Sequence, residues 1–236
     1  MEANTNAKNW VIIPAAGSGS RMGADLPKQY LQFAGKTVIE HTLSRFGGHP
    51  KISGIVVALS SQDKTWDKLQ YKCSKILIKA EGGAERCHSV LNALRELSDH
   101  ANEQDWVLVH DAARPCIQSE DIDYLIHELG NHPVGGLLAV PVRDTMKRSD
   151  NSGTVQETVE RENLWHALTP QMFRLGDLRD ALAKAISDGI EVTDEASAME
   201  YVGKQPKLVK GQWSNIKITH PEDLALAEFY LNKFDS

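Results

Sequence analysis

The sequence predicts an α/β protein built on a mostly parallel central sheet, and three observations carry that reading. Short, near-continuous apolar runs alternate with segments of helical periodicity, the order that puts parallel strands between layers of helices. The 236 residues, 41% apolar and 25% charged, suit one domain with a sizeable core. No internal repeat or low-complexity linker divides the chain, so residues 1–236 read as one domain, with 142–163 as a polar excursion.

Element by element, "WVIIPAAG" (10–17) reads as a buried strand entering a loop, and "TVIEHTLSRF" (37–46) sets Val38, Ile39, Leu43 and Phe46 on one helical face. "ISGIVVALS" (52–60) and "KILIKA" (75–80) follow as the second and third strands. "AERCHSVLNALRELSDH" (84–100) is an amphipathic helix carrying Val90, Leu91, Leu94 and Leu97. "DWVLVHDAA" (105–113) supplies a fourth strand, "SEDIDYLIHEL" (119–129) a helix opening on a serine cap, and "GGLLAVPV" (135–142) a fifth strand.

The pattern then changes. "RDTMKRSDNSGTVQETV" (143–159) is polar and β-prone, with a turn signal at Asp150-Asn151-Ser152-Gly153. A hairpin with so little apolar surface is marginal alone and needs something to lie against. Helices resume at 173–189 and 194–203. "KLVKGQWSNIKIT" (207–219) reads as two further strands, and "PEDLALAEFYLNKF" (221–234) as a helix with proline in its first turn.

Charge and composition narrow the classes of function. Net charge is −6 and the pI about 5.8, so no general basic surface points to nucleic acid or to an anionic membrane. The opening "MEANTNAKNW" lacks a basic start and an apolar core, and no apolar run reaches the ~20 residues of a membrane helix. A cytoplasmic protein is expected. Cys73, Cys87 and Cys116 have no CxxC spacing and read as reduced thiols.

The stretch "VIIPAAGSGSRMGADLPKQY" (11–30) brings Arg21 and Lys28 into a small-residue loop directly after the first strand. Such loops let backbone N–H groups approach phosphate oxygens. The GxxxxGK[ST] string is absent, and Gly17-x-Gly19 is followed by Met22 where a dinucleotide fingerprint needs glycine. On spacing alone, a phosphate site and a plain turn with two solvated cations both remain open.

The loop resembles the signature loop of nucleotidyltransferases that join a nucleoside triphosphate to a phosphorylated small molecule. Further strings resemble one family, the 2-C-methyl-D-erythritol 4-phosphate cytidylyltransferases of the non-mevalonate isoprenoid pathway. They are "EGGAERCHSV" (81–90), "LVHDAARP" (108–115), "PVRDTMKR" (141–148), "LWHALTPQ" (164–171), "VTDEASAMEY" (192–201) and "NIKITHPEDL" (215–224).

The resemblance implies a Rossmann-like three-layer nucleotidyltransferase fold with a β-hairpin dimerisation arm. It also implies transfer of CMP from CTP to 2-C-methyl-D-erythritol 4-phosphate, with pyrophosphate leaving. Arg21, Lys28, Arg161 and Lys217 are then the catalytic cations. Pro14, Ala15, Ala16, Gly17, Gly19, Gly82, Gly83, Ala84, Ser89, Asp111 and Ala112 would bind the nucleotide, Ser89 and the backbone near 82–84 reading the cytosine. Ala84 stands where the family often has an acidic residue, a change that a main-chain contact survives. Arg114, Thr145, Arg161, Thr169, Thr193 and Lys217 would bind the second substrate. Asp111 would lie near Mg²⁺ or another divalent cation. Thr145, Arg161 and Thr169 would reach into a second subunit's site, making a homodimer with shared active sites.

The acceptor phosphate is already largely anionic at neutral pH, so its attack needs cations rather than a base, and His110 reads as structural. Two other readings stay in view. One is a ribitol 5-phosphate cytidylyltransferase, which shares nearly all these strings. The other is a non-catalytic nucleotide-binding module, which the presence of Lys28 and Lys217 disfavours.

Overall fold

A computed structural model describes residues 7–17, 26–69 and 71–234. Strand β1 (Asn9–Pro14) runs through the middle of a seven-stranded sheet, because Trp10–Ile13 are all at or below 1% exposed and can only lie between two covered faces. A two-residue hairpin, β2 (Gln32–Phe33) and β3 (Lys36–Thr37), precedes helix α1 (Val38–Gly47). Thr37 caps α1 in a reciprocal box with Glu40. Then follow β4 (Gly54–Leu59), β5 (Ile76–Glu81), α2 (Arg86–Leu97), β6 (Trp106–Val109), α3 (Ser119–Leu129) and β7 (Gly135–Pro141). The second half comprises β8 (Met146–Ser149), β9 (Val155–Val159), β10 (Trp165–Arg174), α4 (Leu175–Ser187), α5 (Glu195–Tyr201), β11 (Lys207–Lys210) and α6 (Glu222–Phe234).

The strand order is β11-β7-β10-β6-β1-β4-β5. Every pairing is parallel except those of β10, which runs antiparallel to both β6 and β7. Alternation along β1 sends Val11 and Ile13 to one face with α1 and α3, and Trp10 and Ile12 to the other with α2, α4 and α5. The three-layer α/β arrangement expected from the sequence is therefore present. A smaller cluster packs α6 through Ala227 and Leu231 onto Cys116 and Ile218. The three cysteines are free, as expected.

Four local expectations are corrected. Helix α3 is preceded by Gln118 with no side-chain cap, and Ser119 lies inside the helix. Only β11 forms from "KLVKGQWSNIKIT"; residues 215–219 are irregular. Phe173 and Arg174 end a strand rather than open a helix. That strand, β10, was not anticipated, since Pro170 argues against a strand interior. It is accommodated where the register against β7 shifts, between Ala167 and Gln171, at a cis Thr169–Pro170 bond.

The predicted hairpin is present as β8–β9, a two-stranded sheet standing apart from the main one. Its turn holds Gly153 at φ 84°, where a side chain would be strained, and the Asp150 carboxylate accepts from the N–H groups of Ser152 and Thr154. At its base the Arg143 guanidinium stacks over Trp213, 4.4 Å from the ring centre.

Sheet topology places the site. From β1 the chain steps outward through β4 and β5, then returns to pair β6 on the other side of β1. Such reversals open a crevice beyond the carboxyl ends of the strands. Residues 15–17, 82–85 and 110–114 all leave the sheet at that edge.

Candidate active site

The crevice is a cleft of about 520 Å³, within the usual size of a small-ligand site. Pro14, Ala15, Ala16 and Gly17 form one wall, Gly83, Ala84, Arg86 and Ser89 another, and Asp111, Ala112, Lys28 and Lys217 also line it. Eleven of the residues expected from sequence therefore meet in one place: Pro14, Ala15, Ala16, Gly17, Lys28, Gly83, Ala84, Ser89, Asp111, Ala112 and Lys217. Gly82 sits just behind the wall, where a Cβ would overlap the Ala16 side chain. Gly19 and Arg21 lie outside the described residues.

The 15–17 wall is held from within. Gln29, 4% exposed, donates its amide to the carbonyls of Ala15 (2.8 Å) and Gly17 (3.3 Å). Across the cleft, the Ser89 hydroxyl donates to the Glu85 carbonyl and accepts from the Gly83 N–H. Its single proton is thereby committed, leaving one acceptor lone pair for anything else.

Asp111 organises the charge. Its carboxylate lies 3.1 Å from Arg86 Nε, 2.8 Å from Lys217 Nζ and 3.5 Å from Arg114 Nε. Burial alone would raise its pKa, but these three cations outweigh it and hold the group well below the usual carboxylate range. Arg86 in turn grips Glu195, Nη1 to Oε1 at 2.6 Å and Nη2 to Oε2 at 3.0 Å. Lys28 Nζ donates to the Ile218 carbonyl at 3.3 Å, drawing the first loop toward the segment that carries Lys217.

Beneath the cleft, polar groups are satisfied in series. The Thr169 hydroxyl accepts from the Asp111 N–H at 3.1 Å and faces His110 Nδ1 at 3.0 Å. His110 Nε2 faces the Arg114 carbonyl at 3.0 Å, so the proton sits on Nε2 and Thr169 donates to Nδ1. Full burial lowers the His110 pKa to about 4, so the ring is neutral, and with both nitrogens hydrogen-bonded inside the fold it fits the structural role read from the sequence.

Several expected substrate contacts lie elsewhere. Thr169 is 5% exposed within its own chain's core rather than on the arm. Arg114 is also buried, and it donates to the Asn215 carbonyl at 2.7 Å. Thr145 and Arg161 are exposed on the excursion, Arg161 donating to the Arg143 carbonyl, and neither lines the cleft. Thr193 is exposed ahead of α5, which Asp194 caps, and it does not line the cleft.

Arg86, Glu195 and Gln29 went unrecognised in the sequence. Arg86 carried one signal, a cation in the first turn of α2, where the helix dipole disfavours it. Glu195 carried none, because an acid in a helix's first turn is ordinary.

For a hard divalent cation the cleft offers the ionised Asp111, with Glu85 at the rim. Among the described residues, the one cluster of three close donors is Glu85, Cys87 and His88, with atoms within 4.8 Å of each other. Its thiol and imidazole suit a softer metal than Mg²⁺. No helix among the described residues is long and apolar enough to cross a membrane.

The profile of the 2-C-methyl-D-erythritol 4-phosphate cytidylyltransferase family matches residues 10–233. A protein of that name from Pseudomonas aeruginosa is 57% identical over 216 residues, covering 91% of this chain and 92% of its own. Another from Vibrio vulnificus (strain CMCP6) is 54% identical over 222 residues, 94% of each chain. The crystal structure of the Francisella tularensis cytidylyltransferase of this name, 39% identical, superposes with a TM-score of 0.83 over 95% of this chain and all of that one.

Proposed function

The chain belongs to the 2-C-methyl-D-erythritol 4-phosphate cytidylyltransferase family, and from that premise we propose that its sheet-edge cleft transfers CMP from CTP to 2-C-methyl-D-erythritol 4-phosphate. The observation that carries this assignment is the meeting of Lys28, Lys217 and Asp111 with the small-residue wall at 14–17 in one cleft. The products are 4-diphosphocytidyl-2-C-methyl-D-erythritol and pyrophosphate.

The mechanism follows from charge. A phosphate monoester oxygen of the acceptor attacks the α-phosphorus of CTP, and the bond to pyrophosphate breaks. Both reactants are anions, so their approach is opposed by Coulomb repulsion that fixed cations offset. Lys28 and Lys217, with Arg21 from the same first loop, supply that charge at the transferring phosphorus and at the incoming phosphate. No protein base is needed, in keeping with the neutral, buried His110.

Cytosine rests against the 82–84 backbone. The lone pair left on Ser89 suits the cytosine amino group, which donates, and not the uracil carbonyl in the same place.

Asp111 fits a role as the protein's ligand to Mg²⁺ or a similar cation. Its carboxylate is held ionised at the cleft, and such ions take one or two carboxylates and complete their shell with phosphate oxygens and water. When bound, the ion neutralises triphosphate charge and polarises the α-phosphorus. Asp111 also fixes the Lys217 ammonium, 2.8 Å from its carboxylate, at the cleft where the substrates meet.

The whole chain acts as one nucleotidyltransferase domain whose 142–163 arm crosses to a second copy. Thr145 and Arg161, remote from their own cleft, then serve the partner's site, and the pair is a homodimer with shared active sites. An exposed two-stranded sheet with Met146 and Val155 open to solvent supports that reading. The enzyme works in the cytoplasm, on small phosphorylated substrates.

Phosphorus NMR tests the activity. Incubated with CTP, Mg²⁺ and methylerythritol phosphate, the protein should produce pyrophosphate and a new diphosphodiester in equal amounts. Hydrolysis of CTP without a diphosphodiester would refute the assignment.

A further inference from the structure

We propose that Glu195 is a positioning residue for this reaction, holding Arg86 so that its guanidinium orients Asp111 and, through it, Lys217. The inference rests on the cytidylyl-transfer reading of the cleft and assigns work to Glu195 and Arg86, which that reading leaves without a role.

Arg86 lines the cleft, where a free guanidinium would be a natural clamp for phosphate. Its nitrogens are otherwise engaged. Nε donates to Asp111 Oδ1 at 3.1 Å, while Nη1 and Nη2 donate to the two oxygens of Glu195 at 2.6 and 3.0 Å. Carboxylates thus face the guanidinium on both sides, and Arg86 acts as a bracket rather than as an anion ligand. Beyond Asp111 the chain of alternating charges continues to Lys217, 2.8 Å from Oδ2.

The anchor end is rigid. Glu195 is 1% exposed, in the first turn of a helix capped by a reciprocal Asp194–Ser197 box. The next residue, Ala196, donates its N–H to Gln171 Oε1 at 2.8 Å, and Gln171 Nε2 donates to Asp194 at 2.9 Å. Gln171 is itself 1% exposed on β10. A bidentate carboxylate on so fixed a backbone allows Arg86 essentially one direction of approach to Asp111. Without it, the guanidinium is free to turn toward nucleotide phosphates and Asp111 loses its set orientation, leaving Lys217 misplaced.

This makes a prediction that a merely structural glutamate does not. Glu195→Gln keeps the shape, removes the charge and frees Arg86. Turnover should fall roughly 10- to 100-fold, the usual cost of misplacing a reacting group. CTP, titrated calorimetrically without the second substrate, should bind no more weakly than to wild type, and about threefold more tightly because the cleft has gained net positive charge. Arg86→Lys, which cannot reproduce the fork, should lose turnover similarly, and the double variant should be little worse than either single one. If Glu195→Gln does not fold, Glu195→Asp and Arg86→Lys carry the turnover comparison, with CTP affinity expected to stay at the wild-type value because neither changes the net charge.

Wild-type turnover in a folded variant, a clear loss of CTP affinity, or multiplicative losses in the double variant would overturn the role of Glu195. Absence of product from the wild type itself would instead refute the functional reading, and the CTP titration would still judge Glu195.

Discussion

Replacing Asp111 with asparagine keeps the side chain's shape but leaves Arg86, Lys217 and Arg114 facing one another without the carboxylate that lies 3.1, 2.8 and 3.5 Å from them. The Asp111 and Arg114 side chains are each 10% exposed, whereas Arg86 and Lys217 keep 30% and 40%. Removing one member of a buried ion pair costs about 3–5 kcal/mol, and the screening available to the two wetter partners puts the expected loss at the lower end, about 3 kcal/mol. For a chain of this length that is roughly 6–12 °C in melting temperature.

The pH dependence follows from the depressed folded-state pKa. Pairing stabilises the fold fully above the ordinary value of 3.8, and that contribution is lost as pH falls further, toward the folded-state value. The deficit of Asp111→Asn should therefore be constant from about pH 5 to 8 and shrink below about 4. Urea denaturation at pH 7.5, 5 and 3.5 measures it. Pyrophosphate, which can replace the missing charge, should raise the variant's melting temperature more than that of wild type. A deficit under about 1 kcal/mol at pH 7.5, or one undiminished at pH 3.5, would refute this account of the charge cluster.

Three further outcomes are expected. Lys28→Ala should lower kcat by about 10²-fold or more while CTP binding changes far less, since the lysine's charge matters most in the transition state; near-normal kcat would remove Lys28 from the mechanism. Asp121 is 4% exposed, and burial raises its pKa from 3.8 to about 6, so it destabilises the fold above that pH and not below 3.8. Asp121→Asn should stabilise at pH 8 by up to about 3 kcal/mol and be near neutral at pH 3.5, and an equal effect at both would contradict the cause. Finally, inactive Lys28→Ala and Arg161→Ala chains, co-refolded in equal amounts, should recover about a quarter of wild-type activity if each site takes its arm from the partner; heterodimers confirmed by mass but inert would show that Arg161 serves its own subunit.

The strands and helices that pack the two faces of the sheet were legible because burial imposes a period. Val38, Ile39, Leu43 and Phe46 repeat at helical spacing, and all are fully buried. Strand β10 was not legible, because Pro170 and the polar Thr169 and Gln171 hide a strand whose polar side chains serve the site's underside rather than the core. Among the site residues, those carried by short strings near the strand ends (Ala15 to Gly17, Asp111, Ser89) came together as expected. Glu195 did not stand out, because its partner Arg86 lies 109 residues away and only the assembled sheet brings them together. The surroundings of Thr169 were hidden for a related reason. Its string matches the family, but its neighbour in sequence is the arm and its neighbour in space is His110.

The central claim, that this cleft builds a CDP-linked methylerythritol, is tested most directly by competition. Methylerythritol 4-phosphate and ribitol 5-phosphate are supplied in equal excess with limiting CTP and Mg²⁺, and the two CDP products are counted by mass. The account predicts that CDP-methylerythritol dominates by about 100-fold or more, as expected where a site's hydrogen bonds are matched to one polyol. A preponderance of CDP-ribitol, or no CDP product at all, would contradict it.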